Sequence, residues 1–148
     1  MHAFPHRYVV QATGAETGAV ELSTAGVEAM ATAAPREFDG PGDRWSPETL
    51  LVGAVADCFI LTFRAVARAS QLPWTAIRCE VAGTLDRVDR VAQFTAFDVR
   101  VLVEVPSDVP EERARLIAEK AERACLVSNS LKADRRLVVG VRVDGRGA

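Results

Sequence analysis

Residues 46–70 read SPETLLVGAVADCFILTFRAVARAS, and this run decides the fold class. Ser46 suits a helix N-cap, Pro47 the first helical position and Glu48 the positive end of the helix. The pattern predicts a helix from Ser46 to about Ser70, stopped before Pro73. Leu51, Ala54, Cys58, Thr62, Ala65 and Ala69 recur on one face, and Val52, Phe59, Phe63 and Val66 cover much of the remainder. Only Asp57, Arg64 and Arg68 mark a polar stripe. A helix this apolar is expected to be buried on most sides, with the Cys58 thiol near its middle.

Working outward, residues 6–33 read as strands. Tyr8, Val10 and Ala12 alternate with their neighbours, Thr13–Gly18 is a turn, and Ala19–Thr24 and Val27–Ala33 follow. A loop, PREFDGPGDRW, leads into the helix. Beyond it, residues 74–85 and 92–105 form a hairpin around Asp86–Arg90, with Phe97, Val99, Val101, Val103 and Val105 on one side. Asp108 with Glu111 signals a second helix, which carries Ala114, Ile117, Ala121 and Cys125 on one face. A last strand is expected near Leu137–Val143. The order β-β-β-α-β-β-α-β is that of an α+β domain with antiparallel sheet. The 148 residues are read as one domain.

Composition narrows the function. The net charge is −2 and no Lys/Arg block stands out, so nucleic acid and anionic membrane are poor partners. The start, MHAFPHRYVV, lacks the pattern of a secretion signal, and no apolar run of about 18 residues is free of charge, so no membrane span is expected. Three cysteines without an export signal point to a reducing, cytoplasmic setting. His2, His6 and the scattered cysteines show no zinc spacing, so no metal is expected. No Gly-rich phosphate loop and no Ser/His/Asp pattern occurs.

Cys58 and Cys125 admit two readings: plain core cysteines, or a redox pair. Cys58 lies about 18 Å along the axis from the N-cap, beyond the reach of the helix dipole. Burial among Leu, Val and Phe opposes the thiolate there, so a cation must come from elsewhere. Cys125 ends a helix, where the dipole disfavours an anion, so Cys58 is the better attacking thiol and Cys125 the resolving one. Cys79, in phase with Ile77 and Val81, reads as core packing. Ser128, Asn129 and Ser130 read as capping and turn residues.

Taken together, Ser46-Pro47-Glu48-x-Leu50, Cys58-Phe59 and Cys125-Leu126-Val127-Ser128-Asn129-Ser130-Leu131 resemble the OsmC/Ohr family, thiol-dependent hydroperoxide reductases and their relatives. The resemblance covers nearly the whole chain and is to an outlying OsmC-like branch. It implies an intertwined homodimer with two long central helices and active sites at the subunit interface. It implies no metal and no organic cofactor. Carried over, Cys58 matches the peroxide-attacking cysteine, Cys125 the resolving cysteine, and Glu48 a carboxylate that positions an activating Arg. The implied partners are an organic hydroperoxide and an external dithiol of lipoyl type. Two departures stand out. The first hairpin turn, where the Ohr branch has its Arg, reads Ala15-Glu16-Thr17; the candidates left are Arg44, preferred because its loop leads into Glu48, and Arg36 second. Leu126 stands where the motif often has Pro. Two alternatives are a non-catalytic relative that binds a small ligand beside Cys58, and a redox sensor built on a Cys58–Cys125 bridge.

Overall fold

Helix α1 spans Pro47–Ala69 in the computed structural model, which describes residues 1–145. Its start is a reciprocal cap. The Ser46 N–H donates to Thr49 Oγ1 at 2.9 Å, and the Thr49 N–H donates to Ser46 Oγ at 3.1 Å. Thr49 thus fills the place that Glu or Gln takes in a capping box. At the far end Gln71 turns left-handed, with φ 52°. Its N–H donates to the Arg68 carbonyl at 3.1 Å, and the Leu72 N–H to the Ala67 carbonyl at 2.9 Å. These two bonds are a Schellman closure and satisfy carbonyls that the helix leaves free. Arg113 donates to the carbonyls of Ser70 and Gln71 at 2.8 and 3.0 Å, a cation at the negative helix end.

The chain divides into two compact units, Met1–Leu50 and a second from Leu51 onward. In the first, strands β1 (Gln11–Thr13), β2 (Val20–Ser23) and β3 (Met30–Thr32) form an antiparallel sheet in that order. The strands are shorter than the alternation predicts, because Gly18 and Gly26 take positive φ and turn the chain early. The loop after β3 makes a short 3-10 turn at Arg36–Phe38 and closes on Gly40, whose N–H donates to the Pro35 carbonyl at 2.9 Å. A Cβ on Gly40 would stand 1.6 Å from the Ala34 carbonyl oxygen, so only glycine fits.

The second unit holds β4 (Ala76–Val88), β5 (Val91–Val105), helix α2 (Glu111–Ala124), the short helix α3 (Leu126–Asn129) and β6 (Asp134–Val143). β4 and β5 are antiparallel, joined by a two-residue turn at Asp89 and Arg90 with φ 50° and 68°. Positive φ at both central residues is the turn that matches strand twist. β6 pairs parallel to β5, from Ala96 beside Asp134 to Val105 beside Val143. The expectation of a purely antiparallel sheet therefore fails at this edge. The segment carrying α2 and α3 is long enough to serve as the crossover that parallel strands need. The Asp108 cap also fails: α2 starts at Glu111 behind Pro110, with no side-chain cap. The order β-β-β-α-β-β-α-β and the α+β class hold, with α3 added.

Val55, Phe59, Phe63 and Ala67 of α1 are buried in the core of the second unit with Phe97, Val99, Val101 and Val103 of β5 and Ala114, Ala118 and Ala121 of α2. The Phe63 ring meets Trp74 edge-on at 5.5 Å. Burial is one-sided, against the expectation of a helix covered on most sides: Cys58 and Thr62 are half-buried, and Leu61 is 53% exposed. By length and hydropathy α1 could cross a membrane, with a mean hydropathy of 1.9 over 18 residues. Its buried face joins a protein core, and Asp57 and Arg64 lie exposed on the helix. Gly83 of β4 lies against the Val52 side chain of α1. A Cβ there would lie 2.7 Å from Val52 Cγ2 and 2.9 Å from Phe94 Cε1. Gly83→Val is expected to destabilise the protein by about 1–3 kcal/mol through overpacking. A denaturant midpoint equal to wild type would show that α1 does not press on β4 at this point.

Candidate active site

The second unit brings the two predicted thiols together. Cys58 extends from the half-buried edge of α1, its Sγ 3.8 Å from Thr62 Oγ1 one turn on. Cys125 is fully buried at the junction between α2 and α3. It closes α2 as the C-cap and opens α3 as the N-cap. The sequence-based view of Cys125 as only the end of a helix is thus incomplete. α3 aims Ser128 back at the thiol, and the hydroxyl donates to Cys125 Sγ at 3.3 Å. Burial pushes the Cys125 pKa up; the Ser128 hydroxyl and N–H work against that rise, and the neighbouring Cys58 thiol adds to it. The two thiols are therefore close enough for one to disfavour ionisation of the other. All three cysteines are free.

Ser128 is the residue that sequence reasoning undervalued. It is 1% exposed, and its partner is a thiol rather than a helix end. The signal was its place three residues after a cysteine that could be an N-cap. Asn129 and Ser130 do serve local structure. Asn129 Nδ2 donates to the Arg123 carbonyl at 3.1 Å, and Ser130 Oγ to the Leu126 carbonyl at 2.8 Å.

A second group missed in the sequence lies nearby. Both Glu122 carboxylate oxygens are buried without a hydrogen-bond partner, although the Arg135 guanidinium stands 3.3 Å away. Arg135 directs its hydrogen bond to Asn129 Oδ1 instead, at 3.2 Å. Burial raises the Glu122 pKa above its ordinary 4.5, and Arg135 offsets part of the rise. Cys79, half-buried on β4, is pushed up to about 12, by burial first and then by Glu122 and Cys125. It stays a neutral thiol at physiological pH, in keeping with core packing. Between pH 4.5 and the raised value the folded state thus holds a proton at Glu122 that the unfolded chain has lost. Stability falls as pH rises from 4.5 through the raised value. Glu122→Gln removes this penalty, so it is expected to stabilise the protein at pH 7 and to change little below pH 4.5. Thermal melts at both pH values test this; a loss of stability at pH 7 would show that the Arg135 ion pair outweighs desolvation.

The other predicted site residues lie in the first unit. Glu48 sits in the first turn of α1, and its Oε2 is buried without a hydrogen-bond partner. Arg44 is exposed and reaches Asp43, Nε to Oδ1 3.9 Å, rather than Glu48. Arg36 is exposed and lies over Gly42, where a Cβ would meet its Nε at 2.1 Å. No Arg–Glu48 pair occurs among the described residues. The described residues also contain no cluster of three or more His, Cys, Asp or Glu able to hold a metal.

The family model for OsmC-like proteins matches residues 40–139, a span that includes Glu48, Cys58, Cys125 and Ser128. The chain belongs to the OsmC-like family. Among OsmC-like structures it is similar to one of unknown function from Vibrio cholerae, with TM-score 0.82 and 14% identity over 91% of this chain and 99% of that one. It is also similar to an organic hydroperoxide resistance protein, OsmC, from Legionella pneumophila. That match has TM-score 0.74 and 22% identity over 95% of this chain and 100% of the other. A curated relative, the uncharacterized protein YmaD of Bacillus subtilis, is 29% identical over 66% of this chain and 67% of its own length. Likeness at these identities establishes the OsmC-like fold. Some family members are named for organic hydroperoxide resistance.

Proposed function

We propose that this OsmC-like protein is a thiol peroxidase that reduces organic hydroperoxides. The observation that carries the reading is the meeting of Cys58 on α1 with the buried Cys125 between α2 and α3. The Cys58 thiolate attacks the terminal peroxide oxygen; the O–O bond breaks, the alcohol leaves with a proton, and Cys58 becomes a sulfenic acid. The Cys125 sulfur then attacks the Cys58 sulfur; the S–O bond breaks and water leaves, giving a Cys58–Cys125 disulfide. An external dithiol, of lipoyl type, reduces the bridge by exchange and is itself oxidised to a disulfide. Burial that holds Cys125 protonated suits a resolving thiol, which need not react until Cys58 is oxidised. Apolar neighbours such as Phe59 favour an organic peroxide over hydrogen peroxide.

Glu48 is assigned the positioning of a cation that activates Cys58, supplied by Arg44 after release from Asp43, or by Arg36. No metal and no organic cofactor enters the scheme. A homodimer is part of the proposal: the exposed apolar residues of α1, Leu61 among them, need a cover, and a second copy offers one. Three free thiols suit a reducing, cytoplasmic setting.

Cys125→Ser tests the scheme. It is expected to consume one equivalent of cumene hydroperoxide and stop at a sulfenic acid that dimedone traps, with dithiol-driven turnover reduced about tenfold or more. Turnover equal to wild type would remove Cys125 from the mechanism and favour a sensor or binding role for the pair.

A further inference from the structure

Ser128 and Ser130 stand two residues apart and use their hydroxyls differently. Ser130 is exposed and donates back to the Leu126 carbonyl at 2.8 Å. That bond, to the carbonyl four residues before, is a common local choice for a helical serine. Ser128 is 1% exposed, and its hydroxyl donates to Cys125 Sγ at 3.3 Å. A neutral thiol is a weak acceptor, whereas a hydrogen bond to a charged acceptor is roughly twice as strong as a neutral one. The contact is therefore worth little at rest and strengthens as Cys125 loses its proton. The surroundings otherwise oppose that loss. Burial and the hydrogen bond with the Cys58 thiol favour the neutral form, and the two donors that act the other way, a hydroxyl and a backbone N–H, are both on Ser128. An interaction that strengthens on the way to the transition state accelerates the step, and one that stays equal does not.

We propose that the Ser128 hydroxyl is a catalytic group of the resolving step, which holds Cys125 Sγ in place and donates to it as it attacks Cys58. The proposal rests on the peroxidase reading above. Cys58 enters this step as a sulfenic acid. The Cys125 sulfur bonds to the Cys58 sulfur, the S–O bond breaks, and the hydroxyl leaves as water with the proton that Cys125 gives up. Any negative charge that builds on Cys125 Sγ meets the Ser128 hydroxyl already in place, so no reorganisation is needed. The same contact helps when the bridge is reduced. Cys58 is the sulfur within reach of a dithiol, since Cys58 is half-buried and Cys125 fully buried. As one thiolate of the dithiol bonds to the Cys58 sulfur, the S–S bridge breaks and Cys125 departs as a thiolate. A thiolate that is better stabilised leaves faster.

The test is Ser128→Ala, which removes the hydroxyl, keeps the backbone N–H and leaves behind a sulfur that needs no donor. Reduced protein is mixed with one equivalent of cumene hydroperoxide without dithiol and quenched at intervals over a range of pH. Peroxide loss reads the attack by Cys58, and the Cys58–Cys125 disulfide reads resolution. In Ser128→Ala the disulfide is expected to form about threefold or more slowly at pH 7, with sulfenic acid accumulating ahead of it for dimedone to trap. A tenfold loss of thiolate is partly offset by its greater nucleophilicity, hence about threefold. The deficit is expected to narrow as pH rises and the thiolate forms unaided. A disulfide formed at the wild-type rate, or a deficit equal at every pH, as a merely structural role would give, overturns the proposal. A second measurement needs no peroxide. In Cys58→Ser/Cys79→Ser, Cys125 is the only thiol left, and the ultraviolet absorbance of the thiolate titrates it. Adding Ser128→Ala is expected to move the midpoint up, so that the thiolate fraction at a fixed pH below it falls about tenfold. An unmoved midpoint overturns the proposal even where wild type consumes peroxide. A moved midpoint in a protein whose wild type forms no sulfenic acid overturns the peroxidase reading instead, so the two failures are told apart.

Discussion

Cys58→Ser is expected to lower dithiol-driven consumption of cumene hydroperoxide by about a thousandfold or more, to the rate of buffer. The oxygen of serine lacks the nucleophilicity of a thiolate and cannot pass through a sulfenic acid. The fold should survive the change. Cys58 is half-buried, and Thr62 Oγ1, 3.8 Å from its Sγ, remains available to a serine hydroxyl. The assay therefore needs a thermal melt beside it. Lost turnover with an unchanged melt is the predicted pair of results. Retained turnover would transfer the chemistry to another residue, and Cys79, held as a neutral thiol, is a poor candidate.

Phe59→Ala is expected to cost about 3–5 kcal/mol, as for a large aromatic removed from a packed core. Phe59 is fully buried and lies in the centre of the one stripe of α1 that enters the core. For a chain of this size each kcal/mol moves the melting temperature by roughly 2–4 °C, so a fall on the order of 10 °C is expected. Ala65→Ser, on an exposed part of the same helix, is the control and should shift the melt little. Equal effects at both positions would mean that the buried stripe is misassigned.

Much of this was legible in the sequence because the signals were local. Ser46, Pro47 and the long apolar run defined α1, and the alternating valines of β5 defined a strand with one buried side. The two thiols stood out by their helical settings. Three features were not legible. The face of α1 that meets the core was hidden because nearly every face is apolar, and hydrophobicity alone cannot choose among them. The parallel pairing of β6 depends on where a crossover returns the chain, and strand alternation carries no direction. The connection between β5 and β6, with a helix inside it, was the available hint. The buried carboxylate of Glu122 looked like an ordinary charge on a polar helix surface, because its burial comes from neighbours distant in the chain. The Arg partner of Glu48 was expected from a resemblance, and here Arg44 makes a loose ion pair with the residue beside it, Asp43.

The central claim is that Cys58 and Cys125 form one redox pair. Treating the reduced protein with one equivalent of cumene hydroperoxide, quenching with an alkylating agent and mapping the peptides tests it most directly. The account predicts a single intramolecular disulfide joining Cys58 to Cys125, with Cys79 recovered as an alkylated thiol after denaturation. A bridge that contains Cys79, or three thiols still free after the peroxide is added, would contradict it.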